Sequence, residues 1–169
     1  MADAILTAER LREVVEYDPA TGIFTRRIRL AQRHQVGDRA DFVSTGTQLK
    51  GYRRLAIDSK RYLAHRCAWL YMYGEWPERD VDHINGDRGD NRLANLRDVA
   101  RRTNLENLRK PRSDNHTGYL GVIAHPGGRF RARIQHNGKG IHIGMYATPD
   151  EAHAAYVEAK RRMHEGCTI

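Results

Sequence analysis

Cysteine is scarce in this chain: Cys67 and Cys167 are the only two, and they lie far apart in sequence. That spacing indicates neither a disulfide framework nor a thiolate zinc site, and a reducing cytoplasm is the natural setting. Long apolar runs are also missing. None approaches the roughly 20 residues needed to span a bilayer, and Met1-Ala2-Asp3-Ala4 lacks the basic-then-apolar pattern of a signal peptide, so no membrane association is expected. Internal repeats and long low-complexity tracts are absent too. Acidic residues are in the minority, with 21 Asp+Glu against 29 Lys+Arg, a net charge of +8 and a pI near 9.8. Such a balance favours a polyanionic partner, although charge alone does not choose between lipid and nucleic acid. The 169 residues can bury one good core or two small ones. With 40% hydrophobic and 30% charged residues, compact subdomains with a heavily charged surface are expected.

Along the chain, Thr7–Glu16 reads as a short amphipathic helix with Leu11, Val14 and Val15 on one side. Asp18-Pro19-Ala20-Thr21-Gly22 supplies a turn before a strand-like Ile23–Ile28. Residues 29–48 give no firm periodicity. Gly51–Ile57 and Arg61–Leu63 look like strands joined at Asp58-Ser59-Lys60, and basic residues, among them Arg53 and Arg54, stud this region. They suit either a solvated sheet face or phosphate contact. Ala64–Tyr73 is helical, ended by Gly74 and Pro77. His65 is most simply a structural histidine, and Trp69 and Trp76 are core residues.

The chemistry-bearing segment is Asp80–Arg109. Val81-Asp82-His83-Ile84 is strand-like, and Asn85–Asn91 is dense in residues that tolerate left-handed backbone. Leu96–Ala100 can return as a second strand, and Thr103-Asn104-Leu105-Glu106 has capping-box spacing for a helix start. Phosphodiester hydrolysis needs a hard cation to neutralise the phosphate and a base to activate water. Magnesium keeps several waters and needs only one or two protein oxygens. Asp82 offers a carboxylate, Asn104 an amide oxygen, and His83 an imidazole able to accept a proton near neutral pH. An acid beside a histidine is by itself common on any polar surface.

The whole pattern, Asp82-His83-Ile84-Asn85-Gly86-Asp87, Asp90-Asn91-Arg92-Leu93, Asn95-Leu96-Arg97 and Asn104…Asn107, resembles the HNH homing endonucleases of phages and their introns. Tyr17-Asp18-Pro19…Gly22, Gly51-Tyr52 and Ala64-His65-Arg66 resemble the N-terminal half of such proteins. The resemblance implies that Asp82 and Asn104 hold one divalent metal, that His83 is the general base, and that Asn95 braces the loop and orients His83. Asn104 stands where the final histidine of the family name would be. That variant implies Mg2+, with Mn2+ a substitute, over zinc, and an amide is a weaker ligand than imidazole.

Arg129-Phe130-Arg131-Ala132-Arg133-Ile134-Gln135 alternates without a break, so a strand places Arg129, Arg131, Arg133 and Gln135 on one face. Asn137-Gly138 is hairpin chemistry, and Tyr119–Ala124 and Ile141–Gly144 complete three strands. Thr148-Pro149-Asp150-Glu151 opens a helix carrying Ala152, Ala155, Tyr156 and Ala159. Arginines on alternate positions repel one another unless a phosphate offsets them, and arginine also reads guanine edges in the major groove. Residues Gly118–Gly166 resemble the DNA-binding domain of plant ethylene-response factors (Apetala-type), through Gly118-Tyr119…Gly121-Val122, the Arg129–Ile134 strand, Ile143-Gly144…Tyr146 and Glu151-Ala152…Ala155-Tyr156. This implies that Arg129, Arg131, Arg133 and His142 face DNA. Leu120, Ile123 and His142 depart from that family's pattern, so base preference does not carry over.

The expectation is therefore an α+β protein with an N-terminal helix and basic β region (1–63), a ββα-metal (HNH) nuclease core with its preceding helix (64–109), a linker (110–117), and a C-terminal three-stranded antiparallel sheet packed on one helix (118–169). Its expected function is metal-dependent hydrolysis of double-stranded DNA to 5′-phosphate and 3′-hydroxyl, as a monomer whose single centre nicks one strand, in the cytoplasm of a bacterial or phage-infected cell. Expected DNA contacts are Arg53, Arg54, Arg97, Arg101, Arg102, Arg129, Arg131, Arg133, Gln135 and His142. No protein partner is evident. The alternative is a catalytically inactive, sequence-specific DNA-binding regulator on the same scaffold. An RNA-directed protein shares the charge but fits an arginine sheet less well, because A-form RNA lacks a wide major groove.

Overall fold

The computed structural model describes residues 6–111 and 114–169. The readings of Met1–Ala4 as lacking a leader pattern and of Ser113 as linker concern residues outside these. The chain is a mixed α+β protein that divides into two compact units, Met1–Ala100 and Arg101–Ile169. Among the described residues, no helix is long and apolar enough to cross a membrane.

In the first unit, α1 (Ala8–Val14) starts where the Thr7 side chain accepts from Arg10 N at 3.2 Å. The helix stops short of the expected Glu16, because Val15 and Tyr17 are buried on alternate positions and belong to strand β1 (Val15–Asp18). β1 forms a hairpin with β2 (Ile23–Arg26). Residues 29–48 contain only β3 (Phe42–Val43) and the start of a 3-10 turn, Thr47–Leu49. β3 pairs with β4 (Arg53–Ile57), and β4 with β5 (Lys60–Leu63). The β4–β5 turn is two residues long, Asp58 and Ser59, both at positive φ (48° and 63°), as a tight hairpin requires. α2 (Ala64–Tyr73) ends at Gly74, whose φ of 85° closes the helix in the left-handed region. β6 (Asp80–His83) and β7 (Leu96–Val99) pair antiparallel, with Asp82 opposite Arg97 and His83 opposite Leu96. The core gathers Leu11, Val14, Phe24, Leu55, Ile57 and Leu70.

Arg53 belongs to this scaffold's interior chemistry. With Arg39 it converges on the buried carboxylate of Asp41, and its Nη2 also donates to Asp41 O at 2.9 Å. A buried carboxylate is tolerated when it is paired and hydrogen-bonded.

In the second unit, α3 (Arg101–Glu106) is followed by β8 (Val122–His125), β9 (Arg129–His136), β10 (Lys139–Tyr146) and α4 (Pro149–Met163). The helix expected to start at Thr103 begins at Arg101, so Thr103 lies inside it and caps nothing. Glu106 instead accepts from Arg102 Nε at 3.0 Å and from Gly166 N at 3.3 Å. The C-terminal residues hold α3 and its extension: Thr168 bonds Asn107 Oδ1, Arg109 donates to Thr168 O at 2.7 Å, and Lys160 Nζ donates to Leu108 O. Asn115 organises the approach to β8. Its Oδ1 accepts from Thr117 N and Gly118 N, and its Nδ2 donates to Tyr119 O at 3.0 Å.

The sheet order is β8-β9-β10, antiparallel throughout. One face packs Val122, Ala132 and Ile134 against Ala152, Tyr156 and Ala159 of α4. Alanines allow the helix close to the sheet. At Gly121 a Cβ would run into the Tyr156 ring, and its φ of 76° already favours glycine. α4 opens with a full capping box: Thr148 accepts from Glu151 N at 3.2 Å, and Glu151 accepts from Thr148 N at 3.3 Å. Thr148→Ala should lower unfolding free energy by about 1 kcal/mol in urea melts.

Candidate active site and nucleic-acid interface

The loop between β6 and β7 is rich in asparagine and aspartate because its turns are built from their side chains. Asn85 Oδ1 accepts from Asp87 N, Asp87 Oδ1 from Gly89 N, and Asp90 Oδ1 from Arg92 N. Asn95, the residue before β7, closes the loop. Its Oδ1 accepts from Asn85 N at 2.9 Å, and its Nδ2 donates to Asn85 Oδ1 at 3.0 Å and Asp90 O at 2.8 Å. The backbone adds Ile84 N to Asn95 O at 2.9 Å. Asn95 thus ties the two ends of the loop together.

His83 is held by a different asparagine. Its Nε2 lies 3.1 Å from Asn91 Oδ1, and an amide oxygen only accepts, so Nε2 carries the hydrogen and Nδ1 the basic lone pair. Asn91 is fixed in turn by the N-terminal hairpin. The Tyr17 hydroxyl donates to Asn91 O at 2.7 Å, and Leu93 N donates to Pro19 O at 3.0 Å. Gly22 (φ 72°) lies so close that a Cβ there would strike the Asn91 and Arg92 backbone. Burial raises the Tyr17 hydroxyl well above the usual phenol range, so it remains a donor.

The other wall of the His83 site comes from the start of α2 and the residue before β4. His65 packs edge-on to His83 with ring centroids 5.0 Å apart, and Tyr52 lies 5.2 Å from His65 and 5.9 Å from His83. Burial first, then the neighbouring His83 and Arg66, pushes the His65 imidazole down to about 3. Burial likewise lowers His83, against the opposing pull of Asn91 and of Asp82, Asp87 and Asp90. Burial thus favours the neutral form of both imidazoles. His65 Nδ1 and Asn91 Nδ2 are buried and find no hydrogen-bond partner among the described residues.

Asp82 is buried, and its Oδ2 receives a forked contact from Arg97 Nε (3.0 Å) and Nη2 (2.8 Å). The fork orients the carboxylate and engages Arg97 within the site. Asn104 stands on α3, in the unit that begins at Arg101. Arg101 and Arg102 are exposed on the same helix, Arg102 paired with Glu106. Within the first unit, the Asp82 carboxylate offers oxygen donors of the kind a hard cation takes, whereas Cys67 is buried in the core.

The second surface is the face of the C-terminal sheet opposite α4. Arg129, Arg133 and Gln135 are exposed and Arg131 half-buried, and Arg133 lies opposite His142 in register. Arg131 stands between Ile123 and Met145, and Ile123 is 44% exposed. Arg131, Arg133, His142 and Met145 line a shallow depression of about 450 Å³ with His125 and Gly140. Arg129 also donates to Met145 O at 2.9 Å, which holds it against the strand edge. In the first unit, Arg54 has its Nε buried and without a hydrogen-bond partner among the described residues.

Residues 62–109 match the family model of the HNH endonucleases. The match runs from the end of β5 through α3 and includes Asp82, His83, Asn95 and Asn104, less than a third of the chain. The match supports a nuclease acting on DNA, and HNH nucleases generally use a divalent metal. No curated protein and no solved structure matches the chain.

Sequence reasoning did not single out Asn91, Tyr52 or His65 as site residues, although each lay in a segment carrying the resemblance. The pairing of Arg97 with Asp82 was legible only as alternation on facing strands. Tyr17→Phe removes the hydroxyl that satisfies the buried Asn91 carbonyl. It should cost roughly 1–2 kcal/mol in chemical denaturation, with no loss of secondary structure by circular dichroism.

Proposed function

We propose that this protein is a metal-dependent endonuclease that hydrolyses double-stranded DNA, with His83 as general base and Asp82 and Asn104 as the protein ligands of one divalent ion. Mg2+ is the proposed ion, and Mn2+ a substitute. The observation that carries the reading is His83 Nε2 held 3.1 Å from Asn91 Oδ1, which puts the basic lone pair on Nδ1, inside the segment that matches HNH endonucleases; burial favours the neutral ring. A general base must be unprotonated before the step and fixed in direction during it.

In this reading, His83 Nδ1 takes a proton from the water that attacks phosphorus, and the imidazolium formed is accommodated by the nearby Asp82, Asp87 and Asp90 carboxylates. The bound cation supplies charge neutralisation at the phosphate and the departing 3′ oxygen. Asn95 keeps the loop closed, and the Tyr52–His65 wall limits the positions open to the His83 ring. The products are a 5′-phosphate and a 3′-hydroxyl. The strand–strand–helix order of β6, β7 and α3 suits a ββα-metal core, within an organisation of N-terminal region (1–63), nuclease core (64–109), linker (110–117) and DNA-binding unit (118–169).

The C-terminal unit is proposed to dock its exposed sheet face in the major groove as an ethylene-response-factor-like module, through Arg129, Arg131, Arg133, Gln135 and His142. Arg54 and Arg101 are further proposed phosphate contacts; Arg53, Arg97 and Arg102 pair with carboxylates within their own units. The protein is proposed to act as a monomer of the homing type. With one centre, it cuts one strand per event.

Supercoiled plasmid with Mg2+ tests the chemistry: nicked circles should precede linear product. His83→Ala should slow cleavage at least ~100-fold, and Asn91→Ala about 10- to 100-fold, both with unchanged DNA affinity. Binding without cleavage by the wild-type chain, under Mg2+ or Mn2+, would establish the regulator reading instead. Removing an arginine that contacts phosphate reduces the slope of log K against log salt by about 1. Arg133→Ala should therefore flatten that slope in fluorescence-anisotropy titrations, while Arg53→Ala should act on stability and leave the slope unchanged.

A further inference from the structure

The last residue of α3, the last of β9 and the residue that caps α4 bring Glu106, His136 and His164 together. One ligand-capable atom of each lies within 4.8 Å of the others. The two imidazoles are stacked, with centroids 5.9 Å apart and planes 23° from parallel. In both rings Nδ1 is buried and makes no hydrogen bond among the described residues. A buried ring nitrogen without a partner carries a desolvation cost. Two of them beside one buried carboxylate share a single remedy, a cation between them.

The opposite edge of the His164 ring is arranged for that role. His164 Nε2 lies 2.8 Å from Gln135 O. A carbonyl only accepts, so Nε2 carries the hydrogen and Nδ1 the lone pair. Metal-bound histidines usually have this tautomer, with the remote N–H held by a carbonyl. His136 Nε2 lies 3.1 Å from Asn137 Nδ2, an amide nitrogen that donates to it. Metal binding through Nδ1 therefore requires the Asn137 amide to rotate, so that its oxygen accepts from Nε2–H. Glu106 accepts from Arg102 on Oε1 and from Gly166 on Oε2, which leaves acceptor capacity on both oxygens.

We infer that Glu106, His136 and His164 form a second metal site, for a borderline divalent ion of the zinc class, lying wholly within residues 101–169. Two imidazole nitrogens and one carboxylate oxygen form a zinc donor set with a fourth position for water. Tetrahedral bonds of about 2.1 Å place ligand atoms roughly 3.4 Å apart, so the site closes by side-chain rotation of about an ångström. The oxygen-only donors proposed for the nuclease centre select a hard ion, so softness sorts the two ions between the two sites. A bound ion would strap α3, the end of β9 and the C-terminal residues into one rigid body.

The test is titration of the chelator-treated full-length protein with Co2+, in excess Mg2+ to occupy hard oxygen sites. One equivalent should bind with the visible d–d absorption of a low-coordinate nitrogen–oxygen site, Zn2+ should displace it, and the melting temperature should rise. His136→Ala and His164→Ala should each weaken binding at least ~100-fold, and Asn137→Ala about 10-fold. Asn137→Ala leaves all three ligands in place, so it reports even where a ligand variant fails to fold. His83→Ala should bind cobalt as the wild type does, so failure of the nuclease reading and failure of this one are separable. Absence of a tight equivalent in the wild type, or unchanged affinity in folded His136→Ala and His164→Ala, overturns the site.

Discussion

The arrangement of the first unit depends on a single buried node at Asn91. Its carbonyl is held by the Tyr17 hydroxyl, its backbone is pressed against Gly22, and its side-chain oxygen receives Nε2–H of His83. Each bond is worth only about 1 kcal/mol net, which is too little to define a loop of turn-forming residues one bond at a time. What defines the loop is that these contacts are buried and mutually exclusive with other arrangements, since releasing one leaves a desolvated polar group behind. The β1–β2 hairpin is therefore part of the site although none of its residues is a candidate to touch substrate. It supplies the fixed wall from which the asparagine can aim an imidazole.

That node also explains how widely separated fragments of the chain become one site. Tyr17 and Gly22, Tyr52, and His65 come from three stretches that share no sequence continuity with Asp82-His83, yet all of them contact Asn91 or His83. The sequence pattern made the strand–loop–strand segment legible because turn chemistry and strand alternation are local properties. It could not distinguish the roles of Asn91 and Asn95, since both are asparagines in the same loop. Only the register of β6 on β7 decides that Asn95 closes the loop ends while Asn91 reaches the ring. Elsewhere, local patterning served well where one face is buried, as in α2, β9 and the capped start of α4. It failed at Thr103, where the capping-box spacing lies inside α3 because Glu106 is drawn to Gly166, a contact sixty residues away that no local rule encodes.

The basic residues divide by the same logic. A net charge of +8 invites the view that every arginine awaits phosphate, but an arginine beside a buried carboxylate is already committed. Asp41 is fully buried between Arg39 and Arg53, and removing one partner of such a group typically costs 3–5 kcal/mol. An exposed pair such as Arg92–Asp90 contributes a small fraction of that. Arg97 is committed in a third way, forked onto the carboxylate of Asp82. The β9 arginines differ: they stand on the sheet face that α4 leaves uncovered, near one another and near His142, with no acid on their own strand. Mutual repulsion there is a standing cost that a polyanion relieves.

The unit boundary at Ala100–Arg101 falls within the stretch that matches the HNH endonucleases, so β6 and β7 pack with the N-terminal core while α3 packs with the C-terminal residues. The reason is visible in where α3 finds partners. A six-residue helix is too short to persist alone, and here Glu106, Asn107 and Leu108 are tied to Gly166, Thr168 and Lys160. Asn104 therefore sits on a helix whose stability comes from the unit bearing the arginine face. A cation on Glu106, His136 and His164 would tighten that dependence, because its ligands come from α3, from the end of the arginine strand, and from the cap of the helix behind the sheet. The α3 conformation and the arginine-bearing sheet would then stand or fall together. This would couple the placement of the amide at position 104 to the integrity of the arginine-bearing sheet, without a signal having to pass through the rest of the chain.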